Sequence, residues 1–288
     1  MFNKTEVITA MVTPFKEDLT IDFEGLEKLV DHLIKTGTDG ILVAGTTGES
    51  PTLSYDEEHE ILAVTKQAAG GRAKIIMGAG SNSTQTAIEA SIRAEKAGVD
   101  GILSVVPYYN KPTQKGMIAH FSAIAKSVDL PIILYNIPGR TVVNMLPETI
   151  VEIADKNTNI IAVKQSNGDL DQVTEIVSAA KSGFLVYCGD DSLTLPMLSL
   201  GAHGVISVAS HIIGKDIKEL ITKFKAGDVK AAIELQKKNY PIFKAIFTSP
   251  NPIPIKAVLE KQGIISDYVR LPLVGLTQEE KQVLFNAF

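Results

Sequence analysis

Short apolar runs bounded by Gly, Pro and Asp alternate along this chain with stretches in which apolar residues recur at intervals of three and four. The runs are VITAMVTPF (7–15), GILVAG (40–45), KIIMGAG (74–80), GILSVVP (101–107), PIILYNIP (131–138), IIAVKQS (160–166), FLVYCGD (184–190) and GVISVAS (204–210). Their interiors are continuous rather than alternating, as expected of parallel strands covered on both faces. Between them, FEGLEKLVDHLIKTG (23–37) and TAIEASIRAEKAG (86–98) carry the helical period and close on glycine.

A weak internal repeat supports the same division. TGTDGIL (36–42), AGVDGIL (97–103) and LGAHGVI (200–206) each end a helix and open a strand. A glycine at the helix C-terminus followed by a short turn accounts for the recurrence. Eight such strand–helix units predict a (β/α)8 TIM barrel over residues 1–227. No glycine fingerprint of a dinucleotide-binding fold follows the first strand.

After residue 210 the strand pattern stops. KDIKELITKFKAG (215–227) reads as the last barrel helix. Residues 228–247, 253–263 and 277–288 read as a C-terminal three-helix extension joined by Pro-containing turns, the whole chain forming one structural unit.

Composition narrows the classes. The chain has 288 residues, 45% of them hydrophobic, and a net charge of -5, with Lys and Arg scattered. That charge gives no footprint for nucleic acid or an anionic membrane surface. One cysteine, Cys188, excludes an internal disulfide and fits a reducing compartment. The first residues lack a signal-peptide pattern and no run is long enough to span a membrane, so a soluble, cytoplasmic protein is expected. His32, His59, His120, His203 and His211 show no metal-ligand spacing, and no metal or other cofactor is expected. Asp190 and Asp191, after the seventh strand, would repel a phosphate there.

Barrel active sites form where the strands end, and that rule nominates residues. Lys164 follows four apolar residues at the end of the sixth run. A surface lysine reaching solvent is the ordinary alternative. At the mouth of a closed barrel, desolvation favours the neutral amine, a nucleophile toward carbonyls. GTTGES (45–50) reads either as a helix-capping turn or as a carboxylate cradle built from Thr46 and Thr47. Tyr135 ends the fifth run, where it either packs in the core or exchanges protons beside an amine. Arg140, in the following loop, can grip a carboxylate with two parallel bonds or form a surface ion pair.

In combination, GTTGES, VVPYYNKPTQ, ILYNIPGRT and VKQSNGD closely resemble the pyruvate-dependent class I lyase family, over the whole chain. The resemblance implies that Lys164 forms a Schiff base with pyruvate, without a cofactor. Thr46 and Thr47 would hold the pyruvate carboxylate, with Gly189 and Ile206 lining its pocket. Tyr135 would shuttle protons, in a relay with Thr47 and with Tyr109 from a neighbouring subunit of a dimer or tetramer. Arg140 would bind the carboxylate of a second substrate, L-aspartate 4-semialdehyde, in lysine and diaminopimelate synthesis.

The sequence departs from that family at two places. Gln165 stands beside the lysine where relatives commonly carry Glu. Tyr55 and Glu58 stand where lysine-inhibited relatives carry histidines, so weak or absent feedback by lysine is expected. Sibling branches that cleave N-acetylneuraminate or keto-deoxy sugar acids remain an alternative, as does a barrel that binds without catalysing. The intact Lys164, Tyr135 and paired threonines speak against the second.

Overall fold

The computed structural model describes residues 2–288. Eight parallel strands follow one another in chain order and close into a barrel. They are β1 (Val7–Ala10), β2 (Gly40–Val43), β3 (Lys74–Gly78), β4 (Gly101–Val105), β5 (Ile132–Asn136), β6 (Ile160–Gln165), β7 (Leu185–Cys188) and β8 (Gly204–Ser207). Nearly every strand residue is buried, which is why the runs read as continuous. Each strand stops short of the apolar run that announced it, because the last residues of the run turn out into a loop.

The helices are α1 (Phe23–Lys35), α2 (Tyr55–Ala69), α3 (Thr84–Lys96), α4 (Gln114–Ala125), α5 (Pro138–Thr141), α6 (Pro147–Lys156), α7 (Leu170–Ala179), α8 (Thr194–Ser199) and α9 (Ser210–Lys225). Then come α10 (Val229–Ala245), α11 (Ile253–Lys261) and α12 (Gln278–Phe285). Short polar side chains start most of them. Asp22, Ser83, Thr113, Asp169 and Asp228 each accept a backbone N–H of the first turn, and Ser54 and Thr277 form full capping boxes with Glu57 and Glu280.

The repeated turn has two physical causes. Gly37, Gly98 and Gly201 adopt φ of 103°, 69° and 101°, which only glycine takes without strain. In two of the copies the aspartate does further work: Asp39 accepts the N–H groups of Glu6 and Val7, and Asp100 accepts that of Ile75. The turn thereby fastens the start of the neighbouring strand.

Two compact units emerge. One joins the chain up to Lys74 with Ser207–Phe288, and so holds β1, β2 and the C-terminal helices. In it Ala245, Ala257, Val258 and Leu284 form a small core under α10, α11 and α12. The other is Ile75–Ile206, which holds the run of strands ending in β8. Among the described residues no helix is long and apolar enough to cross a membrane.

Candidate active site

Lys164 lies on β6, one residue from its end, and is only 6% exposed. The register pairs it with Tyr135 on one side and Tyr187 on the other, so these side chains share one face of the sheet. Its Nζ sits 4.3 Å from the centre of the Tyr135 ring. Among the described residues no carboxylate comes within ion-pair distance of it. Space for the lysine comes from Gly189, just past β7. A Cβ at that position would lie 2.9 Å from Lys164 Cε and 1.8 Å from Ser166 Oγ. The Ser166 hydroxyl is buried without a partner.

Gln165 belongs to the opposite face. It is paired in register with Asn136 and accepts a hydrogen bond from Asn136 Nδ2 at 3.1 Å. Asn136 also donates to Asn144 Oδ1 and to the Met145 carbonyl, and accepts the Met145 N–H. These amides pin the segment that follows Arg140. The residue beside the lysine therefore acts on the wall behind it rather than on the amine.

The threonine turn belongs to the unit with β1 and β2. Gly48 packs so closely that a Cβ would meet the Met11 carbonyl at 3.1 Å and the Ala44 N at 3.3 Å. Thr13, just after β1, donates its hydroxyl to the Gly48 carbonyl at 2.7 Å. Ala44 and Glu49 take positive φ of 50° and 57°, bending the chain sharply around the two threonines. Among the described residues the backbone N–H groups of Thr46 and Thr47 find no acceptor. Two unpaired N–H groups and two hydroxyls suit an anion.

Residues that sequence reasoning did not nominate hold this turn. Asn251 Nδ2 donates to Thr47 Oγ1 at 2.8 Å. Lys256, fully buried on α11, pairs with the equally buried Glu49 at 2.5 Å and donates to the Tyr268 carbonyl. The Arg270 N–H fills the other Glu49 oxygen. Burial pulls the Lys256 amine down to about 8 against the opposing attraction of Glu49. The Arg270 guanidinium grips Glu57 and holds its carboxyl at about 2.

The other nominated residues fall into two kinds. Ile206 is buried on β8, one step beyond the register pair Cys188–Val205, level with Gly189. Arg140, on the short α5, is exposed. Tyr109 is 90% exposed with a φ of 71°, an uncommon conformation for an aromatic residue. Cys188 is buried and donates its thiol to the Asp190 carbonyl. Burial pushes that thiol well above its ordinary range.

A parallel barrel that shields one amine from carboxylates near a strand end is built like the barrel lyases, and the chain is an enzyme of that class. The model of the dihydrodipicolinate synthetase family matches residues 3–287, and the chain belongs to that family. It is 50% identical over 276 residues to the 4-hydroxy-tetrahydrodipicolinate synthase of Moorella thermoacetica, covering 96% of this chain and 94% of that one. The Cyanidioschyzon merolae enzyme, crystallised with lysine bound, superposes with a TM-score of 0.97 at 48% identity, over 99% of this chain and 97% of that one. A relative described as a monomeric variant superposes with a TM-score of 0.96 at 41% identity, over 98% of this chain and 95% of that one.

Proposed function

We propose that the chain condenses pyruvate with L-aspartate 4-semialdehyde through a Schiff base on Lys164, giving 4-hydroxy-tetrahydrodipicolinate for lysine and diaminopimelate synthesis. The observation that carries this reading is the buried Lys164, free of carboxylates and seated in space that Gly189 leaves. The synthase name carried by a relative of half identity supports it over cleavage of N-acetylneuraminate or keto-deoxy sugar acids.

The chemistry follows from an amine in that setting. Lys164 Nζ adds to the pyruvate C2 carbonyl, and loss of water leaves a protonated imine. That nitrogen is the electron sink, so a C3 proton can leave and an enamine forms. Tyr135, whose ring lies against Nζ, moves the protons. Enamine C3 then bonds to the aldehyde carbon, and the aldehyde oxygen takes up a proton. The amino group of the second substrate adds to the imine carbon, closing the ring and expelling Lys164 as the free amine.

Thr46 and Thr47 hold the pyruvate carboxylate, Gly189 and Ile206 border its methyl end, and Arg140 holds the carboxylate of the semialdehyde. Tyr109 joins the relay of Thr47 and Tyr135 from a second subunit. Its exposure, with that of Tyr108 and Val142, supports a dimer or tetramer as the active form. The compartment is the cytoplasm. Tyr55 and Glu58 open α2, and lysine inhibits weakly or not at all; strong inhibition at submillimolar lysine would overturn that point.

The test is reduction with borohydride in the presence of pyruvate, followed by peptide mass mapping. A pyruvate-derived adduct on Lys164, together with turnover of L-aspartate 4-semialdehyde and none of N-acetylneuraminate, is expected. A folded protein without the adduct sinks the reading. Light scattering on the same sample gives the oligomeric state.

A further inference from the structure

The Ser166 hydroxyl is buried, and among the described residues it has no hydrogen-bond partner. Leaving a hydroxyl so is costly, and the fold gives no reason to keep one there. Its surroundings do. The sheet ladder runs one residue past β6 on both sides: the Ser166 N–H donates to the Asn136 carbonyl at 2.9 Å, and the Gly189 N–H to the Gln165 carbonyl at 2.8 Å. Strand alternation therefore continues, and Ser166 falls on the face of Lys164, one step nearer the mouth of the barrel.

Gly189 shows how near the two side chains come. The point where its Cβ would stand is 1.8 Å from Ser166 Oγ and 2.9 Å from Lys164 Cε. Hydroxyl and lysine chain thus border one small space, and Nζ is the next atom beyond Cε. Lys164, Ser166, Gly189 and Tyr135 all belong to the Ile75–Ile206 unit. That nearness selects the oxygen the hydroxyl can serve. When Nζ adds to pyruvate, the C2 oxygen is separated from Cε only by Nζ and C2. The carboxylate oxygens stand one carbon further off, and the aldehyde oxygen of the second substrate two.

We infer that Ser166 is a catalytic residue of imine formation, its hydroxyl donating a hydrogen bond to the C2 oxygen of pyruvate until that oxygen leaves. The inference rests on the Schiff-base reading of Lys164. Nζ bonds to C2 and the carbonyl electron pair moves onto oxygen, which takes the proton that Nζ sheds. The nitrogen lone pair then forms the C=N bond as the C–O bond breaks. The oxygen departs as water, with a second proton delivered through Tyr135. Ser166 keeps its own proton throughout and stabilises the charge that gathers on the oxygen. In the free enzyme and in the finished imine alike, the hydroxyl lacks this acceptor. Ser166 therefore sets how fast the imine forms and hydrolyses, and not how much of it stands at equilibrium.

The experiment mixes wild type or Ser166→Ala with pyruvate, quenches into borohydride at successive times and follows the adduct on Lys164 by mass. Expected for S166A is a build-up slowed on the order of ten-fold, the effect of losing one hydrogen bond, to the wild-type final extent. Exchange of the pyruvate methyl protons in deuterated water, read by NMR, supplies a second mark. A longer-lived imine should release a larger share of triply deuterated pyruvate per visit, which a general loosening of the site would not produce. S166A should also melt no lower than wild type, because the hydroxyl it removes bonds nothing in the protein. Build-up at the wild-type rate, a lowered final extent, an unchanged share of triple deuteration or a clear fall in melting temperature overturns the inference. So does a variant that forms imine normally and fails only with the aldehyde. No adduct in the wild type would instead sink the Schiff-base reading, so the two failures are distinct.

Discussion

Gly189 lies against Lys164 so closely that a Cβ on the glycine would come within 2.9 Å of the lysine Cε. The glycine has no positive φ to explain it; a Cβ there would collide with Ser166 Oγ at 1.8 Å as well as with Lys164. Gly189→Ala should leave a folded barrel, weakened by about 1–3 kcal/mol of overpacking. Its larger effect should be on chemistry, because a displacement of about 1 Å at a reacting atom costs roughly a hundred-fold. The rate of borohydride trapping with pyruvate measures this, and a wild-type rate would refute it.

Removing Lys256 leaves Glu49 as an uncompensated buried charge. Lys256→Met should therefore cost about 3–5 kcal/mol in urea denaturation. Replacing both partners, as Glu49→Gln with Lys256→Met, should recover most of that loss. If single and double variants unfold alike, the pair is not what holds the turn.

Stability should fall on the acid side through His211. This histidine is fully buried, accepts the Val12 N–H on Nε2 and bonds the Val208 carbonyl through Nδ1, which fixes the neutral tautomer. Burial is the main cause that lowers it to about 4, against an ordinary 6.5. The unfolded chain then binds more protons between those values, so the contribution is whole above pH 6.5 and is lost as pH falls toward 4. His120, also lowered to about 4 by burial, adds to the same window. His211→Gln should flatten the dependence by on the order of 3 kcal/mol, read from denaturation midpoints across that range. An unchanged slope would count against it.

Cys188 should be inert in the native protein. Its thiol is buried, donates to the Asp190 carbonyl and is held in the protonated form by desolvation. A thiol reagent should modify it only at the rate of unfolding. Fast labelling under native conditions would show an opening near β7.

The strands were legible because a parallel sheet buries both faces, so each one is written as an unbroken apolar run. Their C-terminal limits were not, since buried apolar residues such as Met11, Val12 and Val106 continue the runs past the last strand residue. Lys164 stood out for a similar reason: one cation after four apolar residues has no local explanation. Lys256 gave no such warning. In IPIKAVLEKQG it reads as one more helix-surface lysine, and its partner lies 207 residues away. Asn251 is hidden in the same way, as a turn residue before proline. Gln165 was visible as the neighbour of the lysine in the chain, but strand alternation turns it to the other face, onto Asn136.

The contacts of Glu49 with Lys256 and Arg270 also carry a consequence for synthesis on the ribosome. A nascent chain that has delivered all eight strands, but not yet α11, holds a carboxylate with neither of those partners in the turn after β2. The turn can reach its final shape only when nearly the whole message has been read. A product stopped short of residue 251 would lack the contacts that hold the Thr47 and Glu49 side chains in place, so its turn would be left to fluctuate.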